Sequence, residues 1–341
     1  MKFDIKILEQ YKKDGWLMSH THKELPLIIW NYTQATQYEG KWDEITLNCR
    51  GIVTDINGDV IAKGFSKFFN YEEKKTNIPK IIEWTRIYDK VDGSYIQLFN
   101  YKGEWLVNSK GSFYSDHVGW AQEILKNKSI ENLNTTWTYC FELIHPDNRI
   151  VVDYKDKQDL IFLGAFYQGK EVELFNLKGF ESAENKLISF NYEELKTLNN
   201  QNKEGFVVKF SNGERCKIKF EDYIRLHRIM TDVSSYRVYE ALRDKVDLNK
   251  WLEGVPDEFF DWIQMVASEI LHNYTIVEDA IFLKYGKIVR NTVGFNDKEF
   301  ALHIQHNKYR AYFFKLRKNR SIDVAIWKEI KPELKYPFKD E

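Results

Sequence analysis

Lys90-Val91-Asp92-Gly93 follows the apolar run Arg86-Ile87-Tyr88 and opens a second one, Tyr95 to Phe99, so a lysine stands at a strand edge beside an acid and a glycine. A lysine is a nucleophile only as the neutral amine, and its usual pKa of about 10.4 must be lowered by burial or by neighbouring cations. Gly93 leaves room for a nucleotide to approach the backbone. The tetrapeptide alone is weak, since roughly one chain in ten or twenty carries a Lys-x-Asp-Gly by composition. Other charged residues strengthen it. A two-residue turn at Asn212-Gly213 would pair Val208 with Lys217 and Phe206 with Lys219. That register places Glu204, Lys217 and Lys219 on one face with Phe206 and Val208, and turns Lys209 to the other face. The bland alternative is the wet face of an ordinary hairpin. Arg50, Lys67 and Lys110 interrupt or border apolar runs, and Glu142 lies inside Tyr139 to Ile144, where an unpartnered carboxylate would cost several kcal/mol. Together these residues describe a cleft with a nucleophilic lysine, cations for phosphate oxygens, and carboxylates for a ribose or Mg²⁺.

The elements that must position this set change character along the chain. Up to about residue 224 the pattern is strands and hairpins. Ile45-Thr46-Leu47 and Ile52-Val53-Thr54 precede an Asn57-Gly58 turn into Val60-Ile61-Ala62, and further hairpins turn near 100–103, 168–170 and 212–213. A helix is expected near Tyr192 to Leu198. Beyond Tyr223 the apolar period becomes helical over Ser235–Val246, Asp257–His272 and Glu299–Lys318, with Pro256 near the start of the second and Asn296-x-x-Glu299 as a capping box for the third. The expected class is therefore α+β: an antiparallel-sheet domain over 1–224 and an all-helical domain over 225–341.

The 341 residues suffice for two cores, and 50 Lys and Arg against 51 Asp and Glu leave a net charge of -1. A polyanionic partner must then be met by a local patch. The three cysteines, Cys49, Cys140 and Cys216, lack a Cys-x-x-Cys and read as buried thiols rather than disulfides or a zinc site. No stretch approaches a membrane span and the N-terminus lacks a signal-like apolar run, so a cytoplasmic protein without membrane partners is expected.

The order of these motifs resembles the T4-type phage RNA ligase 1 family of covalent nucleotidyltransferases, over nearly the whole chain. It is carried by Cys49-Arg50-Gly51-Ile52, Lys67-Phe68-Phe69-Asn70, Lys90-Val91-Asp92-Gly93-Ser94, Ser109-Lys110-Gly111-Ser112, Asn148-Arg149-Ile150-Val151, Phe162 to Tyr167, Glu204-Gly205-Phe206-Val207, and Lys217-Ile218-Lys219 with Tyr223 after it. The resemblance implies an adenylyltransferase domain and an ATP-dependent ligase that joins RNA 5′-phosphate and 3′-hydroxyl ends through lysyl-AMP and RNA-adenylate. In it Lys90 would attack the α-phosphorus of ATP. Lys217 and Lys219 would contact phosphate, Arg50, Lys67 and Lys110 would hold phosphates of ATP or RNA, and Asp92 and Gly93 would belong to the nucleotide site. Glu142 would address the ribose, Glu204 the Mg²⁺ (or Mn²⁺ in its place), and Phe166 would stack on adenine, with Tyr223 an accessory residue. The family's tyrosine near the triphosphate falls on Trp30, which offers one N–H and no phenol. Position 91 holds Val where the phage enzyme has an acid.

A DNA ligase or capping enzyme would follow the Lys-x-Lys strand with a β-rich OB-fold, and this chain turns helical there. A non-catalytic RNA-binding homologue would be expected to lack one of Lys90, Glu204, Lys217 or Lys219, all of which are present. Outside the site, residues 301–320 hold six Lys and Arg and no acid, with Lys308/Lys315 and Arg310/Arg317 each seven apart and Tyr309 and Tyr312 between them. That stripe suits RNA, the broken tRNA that the family's helical tail serves included; a solvated helix face is the equal alternative. A monomer is expected.

Overall fold

The computed structural model describes residues 1–198, 202–247, 251–252 and 259–337. Met1–Met230 and Thr231–Glu341 are two compact units, and the helix Glu221–Thr231 runs through the position where the sequence pattern places a boundary.

The strands of the first unit run β1 (Leu17–Thr21), β2 (Leu27–Tyr32), β3 (Arg50–Asp55), β4 (Val60–Ala62), β5 (Phe69–Asn70), β6 (Thr85–Asp89) and β7 (Ser94–Tyr101). They continue as β8 (Glu104–Ser109), β9 (Trp137–Ile144), β10 (Asp159–Tyr167), β11 (Lys170–Val172), β12 (Asn185–Ile188), β13 (Gly205–Phe210) and β14 (Arg215–Lys219). Among the described residues these strands form three sheets: β1-β2-β3-β4, β11-β10-β9-β7-β8, and β12-β6-β13-β14-β5. Pairing is antiparallel except between β14 and β5. With the helices of the second unit, this is the α+β class expected from the sequence.

Ile45 to Leu47, expected as a strand, belongs to the helix Glu44–Asn48. Asp43 overrides the β-prone side chains: its Oδ1 accepts the Ile45 and Thr46 amides at 3.0 Å each, and the Asp43 amide donates to Thr46 Oγ1 at 2.9 Å. The helices Ile5–Lys13 and Asp116–Leu125 were likewise not legible among the hairpins.

The second sheet has two distinct faces. Ile96, Leu98, Tyr139, Phe141, Leu143, Leu160, Phe162 and Ala165 form one buried core. The alternate positions of the same strands put Tyr95, Gln97, Cys140, Glu142 and Phe166 on the opposite face. In the third sheet the core side is Ile87, Phe206, Val208, Phe210, Cys216 and Ile218.

The second unit contains the helices Ser235–Arg243, Phe260–Asn291, Asp297–Ile304, Arg310–Arg317 and Asp323–Glu329, around Ile281, Phe300, Ile304, Phe313 and Ile326. Pro256 and Asp257, expected near the start of the second helix, lie outside the described residues. The expected capping box forms, with Asn296 N donating to Glu299 Oε2 at 2.8 Å and Glu299 N to Asn296 Oδ1 at 3.0 Å. The single helix expected over 299–318 is instead two. The first ends at Ile304, and between the two Asn307 accepts the Tyr309 amide on its side chain at 2.9 Å, a local bond that competes with helix continuation.

Candidate active site

Lys90 directly follows β6, and its amide donates to Gly205 O at 2.9 Å, which ties the lysine to the start of β13. Its Nζ donates to Glu204 Oε2 at 2.6 Å, and Lys219 Nζ lies 3.3 Å from the other oxygen, Oε1. Glu204 is only 2% exposed, so this carboxylate is buried between two ammonium groups that offset the cost of its desolvation.

How the three meet differs from the expected register. The loop after β13 has three residues, not two: Phe210 N donates to Glu214 O and Gly213 N to Phe210 O, both at 2.9 Å, with Gly213 at φ +87. One extra loop residue shifts every cross-strand partner by one, so Val207 faces Lys217, Phe206 faces Ile218 and Lys209 faces Arg215. Phe206 and Val208 are therefore core, and Lys209 shares the face of Lys217 and Lys219, contrary to the sequence reading. Glu204 still reaches the lysines because Gly205, at φ +145, breaks the alternation. A Cβ there would lie 2.0 Å from Ile218 O, which only glycine avoids.

Glu142, on β9, is close enough to Lys90, Glu204, Arg50 and Asp92 to feel all four. Desolvation pushes its carboxyl up to about 7; Lys90 and Arg50 pull it down while Glu204 and Asp92 push it further. Arg50 stacks on Tyr95, its guanidinium carbon 4.3 Å from the ring centroid. Its Nη1 is buried with no hydrogen-bond partner among the described residues, as are Gln97 Oε1 and Asn108 Oδ1 on neighbouring strands. Burial of an unsatisfied guanidinium donor is costly in a folded chain, and an anion would satisfy it.

Lys67 and Lys110 converge on Tyr32. Lys110 Nζ donates to the Tyr32 hydroxyl at 3.4 Å and sits 4.7 Å from its ring centroid. Lys67 Nζ lies 5.1 Å from Trp42, 5.5 Å from Tyr32 and 5.5 Å from Phe69, and bonds Gln37 Oε1 at 3.2 Å. Trp30 is not part of this group. It is wholly buried in the core beneath the first sheet, its Nε1 donating to Thr54 Oγ1 at 3.1 Å. The phenol missing at Trp30 stands two positions further along β2, at the strand's end; the sequence signal was the alternation of Trp30-Asn31-Tyr32.

Asp92 and Gly93 serve the fold where a nucleotide role was expected. Asp92 is 4% exposed, and its Oδ2 accepts the Val151 and Val152 amides at 2.9 and 2.8 Å while Oδ1 accepts the Tyr223 hydroxyl at 2.8 Å. Its own amide donates to the Tyr154 hydroxyl at 2.9 Å. This bonding accounts for both Tyr223 and the Asn148–Val151 segment: they fix the loop that carries Lys90. A Cβ on Gly93 would meet Leu143 O at 2.3 Å, so the close approach it permits is to β9. Phe166 is 5% exposed and meets Phe65 edge-on at 4.8 Å.

In the second unit, Arg317 donates through Nε to Asp297 at 3.1 Å and through Nη2 to Phe295 O at 2.5 Å, with Phe300 4.4 Å beneath. Its guanidinium is thus engaged in packing contacts within its own unit. Lys308 and Arg310 are exposed and Lys315 is partly buried, but Lys308 precedes the helix that holds Arg310 and Lys315. Tyr309 is 6% exposed, so the aromatic surface expected there belongs largely to the core.

Beta-sheet walls thus gather a lysine, a buried carboxylate and several cations. A family model described as RNA ligase matches residues 48–224, just over half of the chain, and the chain belongs to that family, of the T4 RNA ligase 1 type. It is 24% identical over 370 residues to an RNA ligase of Rhodothermus phage RM378, covering 80% of this chain and 82% of the phage protein. It is 26% identical over 345 residues to an Autographa californica nuclear polyhedrosis virus protein described as a bifunctional polynucleotide kinase/RNA ligase. That match covers 89% of this chain but spans only 47% of the viral protein. Among solved structures, an archaeal ATP-dependent RNA ligase aligns with a TM-score of 0.47 and 13% identity, covering 75% of this chain and 70% of that one. Among the described residues no helix is long and apolar enough to cross a membrane.

Proposed function

We propose that this chain is an ATP-dependent RNA ligase that seals a 5′-phosphate to a 3′-hydroxyl. Lys90 Nζ attacks the α-phosphorus of ATP, the bond to the β-phosphate oxygen breaks, and pyrophosphate leaves a lysyl-AMP. The RNA 5′-phosphate then takes the AMP, and the 3′-hydroxyl displaces it to form the phosphodiester. The observation that carries this reading is Lys90 held 2.6 Å from a buried Glu204 that also binds Lys219. Attack by a lysine requires the neutral amine, so a base must take its proton. Glu142, raised to about 7, is a nearby acceptor whose affinity suits neutral pH.

Lys219 and Lys217 supply fixed positive charge from one sheet, and Arg50, with its orphaned Nη1, supplies it from another. Lys67 and Lys110 around Tyr32 suit the outer phosphates or the RNA 5′ end. The hard oxygen donors beside Lys90 fit Mg²⁺, which commonly takes one or two protein carboxylates and completes its shell with phosphate and water. Glu204 would hold it, and it would supply charge neutralisation to the phosphates. RNA breaks in the cytoplasm, those of tRNA included, are the proposed substrates, with the helical unit contributing RNA contacts.

The test is incubation with α-labelled ATP and Mg²⁺ followed by denaturing electrophoresis. The wild type should retain label, and Lys90→Ala, folded by circular dichroism, should retain none. Equal labelling of the two removes Lys90 as the nucleophile.

A further inference from the structure

The face of the third sheet that carries Lys219 and Lys217 continues to Arg215 and Lys209, a row of four cations. The row is not uniform. Glu171 neutralises its far end, with Oε2 2.6 Å from Lys209 Nζ and Oε1 2.5 Å from Arg215 Nη2, all three side chains 18% exposed or less. Phosphate belongs at the other end of the row, where Lys90, the proposed nucleophile, stands beside Glu204 and Lys219.

The Glu171 end is built for something flat and apolar. Glu171 is the direct cross-strand partner of Phe166, which places both on the face shared with Cys140 and Glu142. Phe65 packs edge-on to Phe166, lies 4.9 Å from the Arg215 guanidinium, and would be 3.2 Å from a Cβ on Gly164, which has none. From the third sheet, Val207 and Tyr88 are cross-strand partners on the face of Lys209 and Lys217, and Tyr88 is within electrostatic reach of Glu171 and Arg215. The interval from Gly205, which anchors Lys90, to Lys209 is four strand residues, or about 13 Å. That is the span of a nucleoside monophosphate.

We infer that Glu171 lies at the base end of the cleft and selects adenine, its carboxylate accepting a hydrogen bond from the 6-amino group. A carboxylate has lone pairs beyond the two engaged by Lys209 and Arg215, and those ion pairs keep it ionised and fixed in direction. The 6-oxo group of guanine would meet the same carboxylate with two acceptors facing each other. This inference rests on the ligase reading above and names the residue that chooses its nucleotide.

The test compares labelling efficiencies with ATP, GTP and purine riboside triphosphate, which lacks only the 6-amino group. The wild type should favour ATP over both analogues by about tenfold or more, the scale of one buried hydrogen bond. Glu171→Ala should bring ATP and purine riboside triphosphate within about threefold of each other. Glu171→Gln, nearly isosteric and able to donate to a 6-oxo group, should raise GTP relative to ATP about tenfold, and it carries the test should the alanine variant not fold. Equal use of ATP and purine riboside triphosphate by the wild type, or wild-type selectivity in the folded Glu171 variants, overturns the assignment while leaving the ligase reading intact. No label from any nucleotide overturns both.

Discussion

Asp92 and Arg317 are charged residues whose neighbourhoods both suggested ligand contacts, yet each is bound up with its own unit. Asp92 gathers two amides and a tyrosine hydroxyl, and Arg317 a carboxylate, a carbonyl and an aromatic ring. Around Asp92 the surrounding charges still converge: Lys90, Glu204, Lys219, Glu142 and Arg50 form one electrostatic group. Around Arg317 they do not, since Arg310 extends to Gln305 O at 3.2 Å and Lys308 lies over Tyr309. A basic stripe in sequence thus becomes scattered capping and packing contacts, whereas charges spread over most of the first unit's sequence become a site. Convergence on a buried group, more than local charge density, separates the two.

The largest effect expected to sharpen that contrast is at Asp92. Asp92→Ala strands two buried amides and the Tyr223 hydroxyl, and should cost about 3 to 5 kcal/mol in chemical denaturation. A loss below about 1 kcal/mol would show that this network does not hold the Lys90 loop.

In the helical unit, Arg317→Glu should cost about 1 to 2 kcal/mol through lost hydrogen bonds and repulsion from Asp297. Arg310→Glu should leave stability nearly unchanged but flatten the salt dependence of RNA binding by about one phosphate contact. Identical melting behaviour of the two variants would break the distinction between packing and surface cations.

A pH dependence of stability is expected at Glu142. Its folded pKa, about 7, lies above the usual carboxylate value, so the folded state binds more protons between the two. Stability contributed by this group is therefore lost as pH rises from about 4.5 through 7. Glu142→Gln should gain stability relative to wild type at pH 8 compared with pH 4.5. A pH-independent difference would mean that Glu142 is not desolvated.

Residue types and their order determined much of this protein without coordinates. The Lys90 motif, the Glu204 and Lys-x-Lys segments, the α+β division and most hairpins were legible because turn chemistry and apolar period are local properties. Three matters were decided only by tertiary structure. The hairpin register depended on one loop residue, and alternation converts a one-residue slip into an exchange of faces for Phe206, Val208 and Lys209. Glu204 joined the lysines through the positive φ of Gly205, which a parity argument cannot anticipate. The surroundings of Asp92, Trp30 and Tyr32 could not be read locally, because their hydrogen-bond partners come from segments far away in the chain, Val151, Thr54 and Lys110 respectively. A side chain's type limits the bonds it can make, and the fold determines which partner arrives to make them.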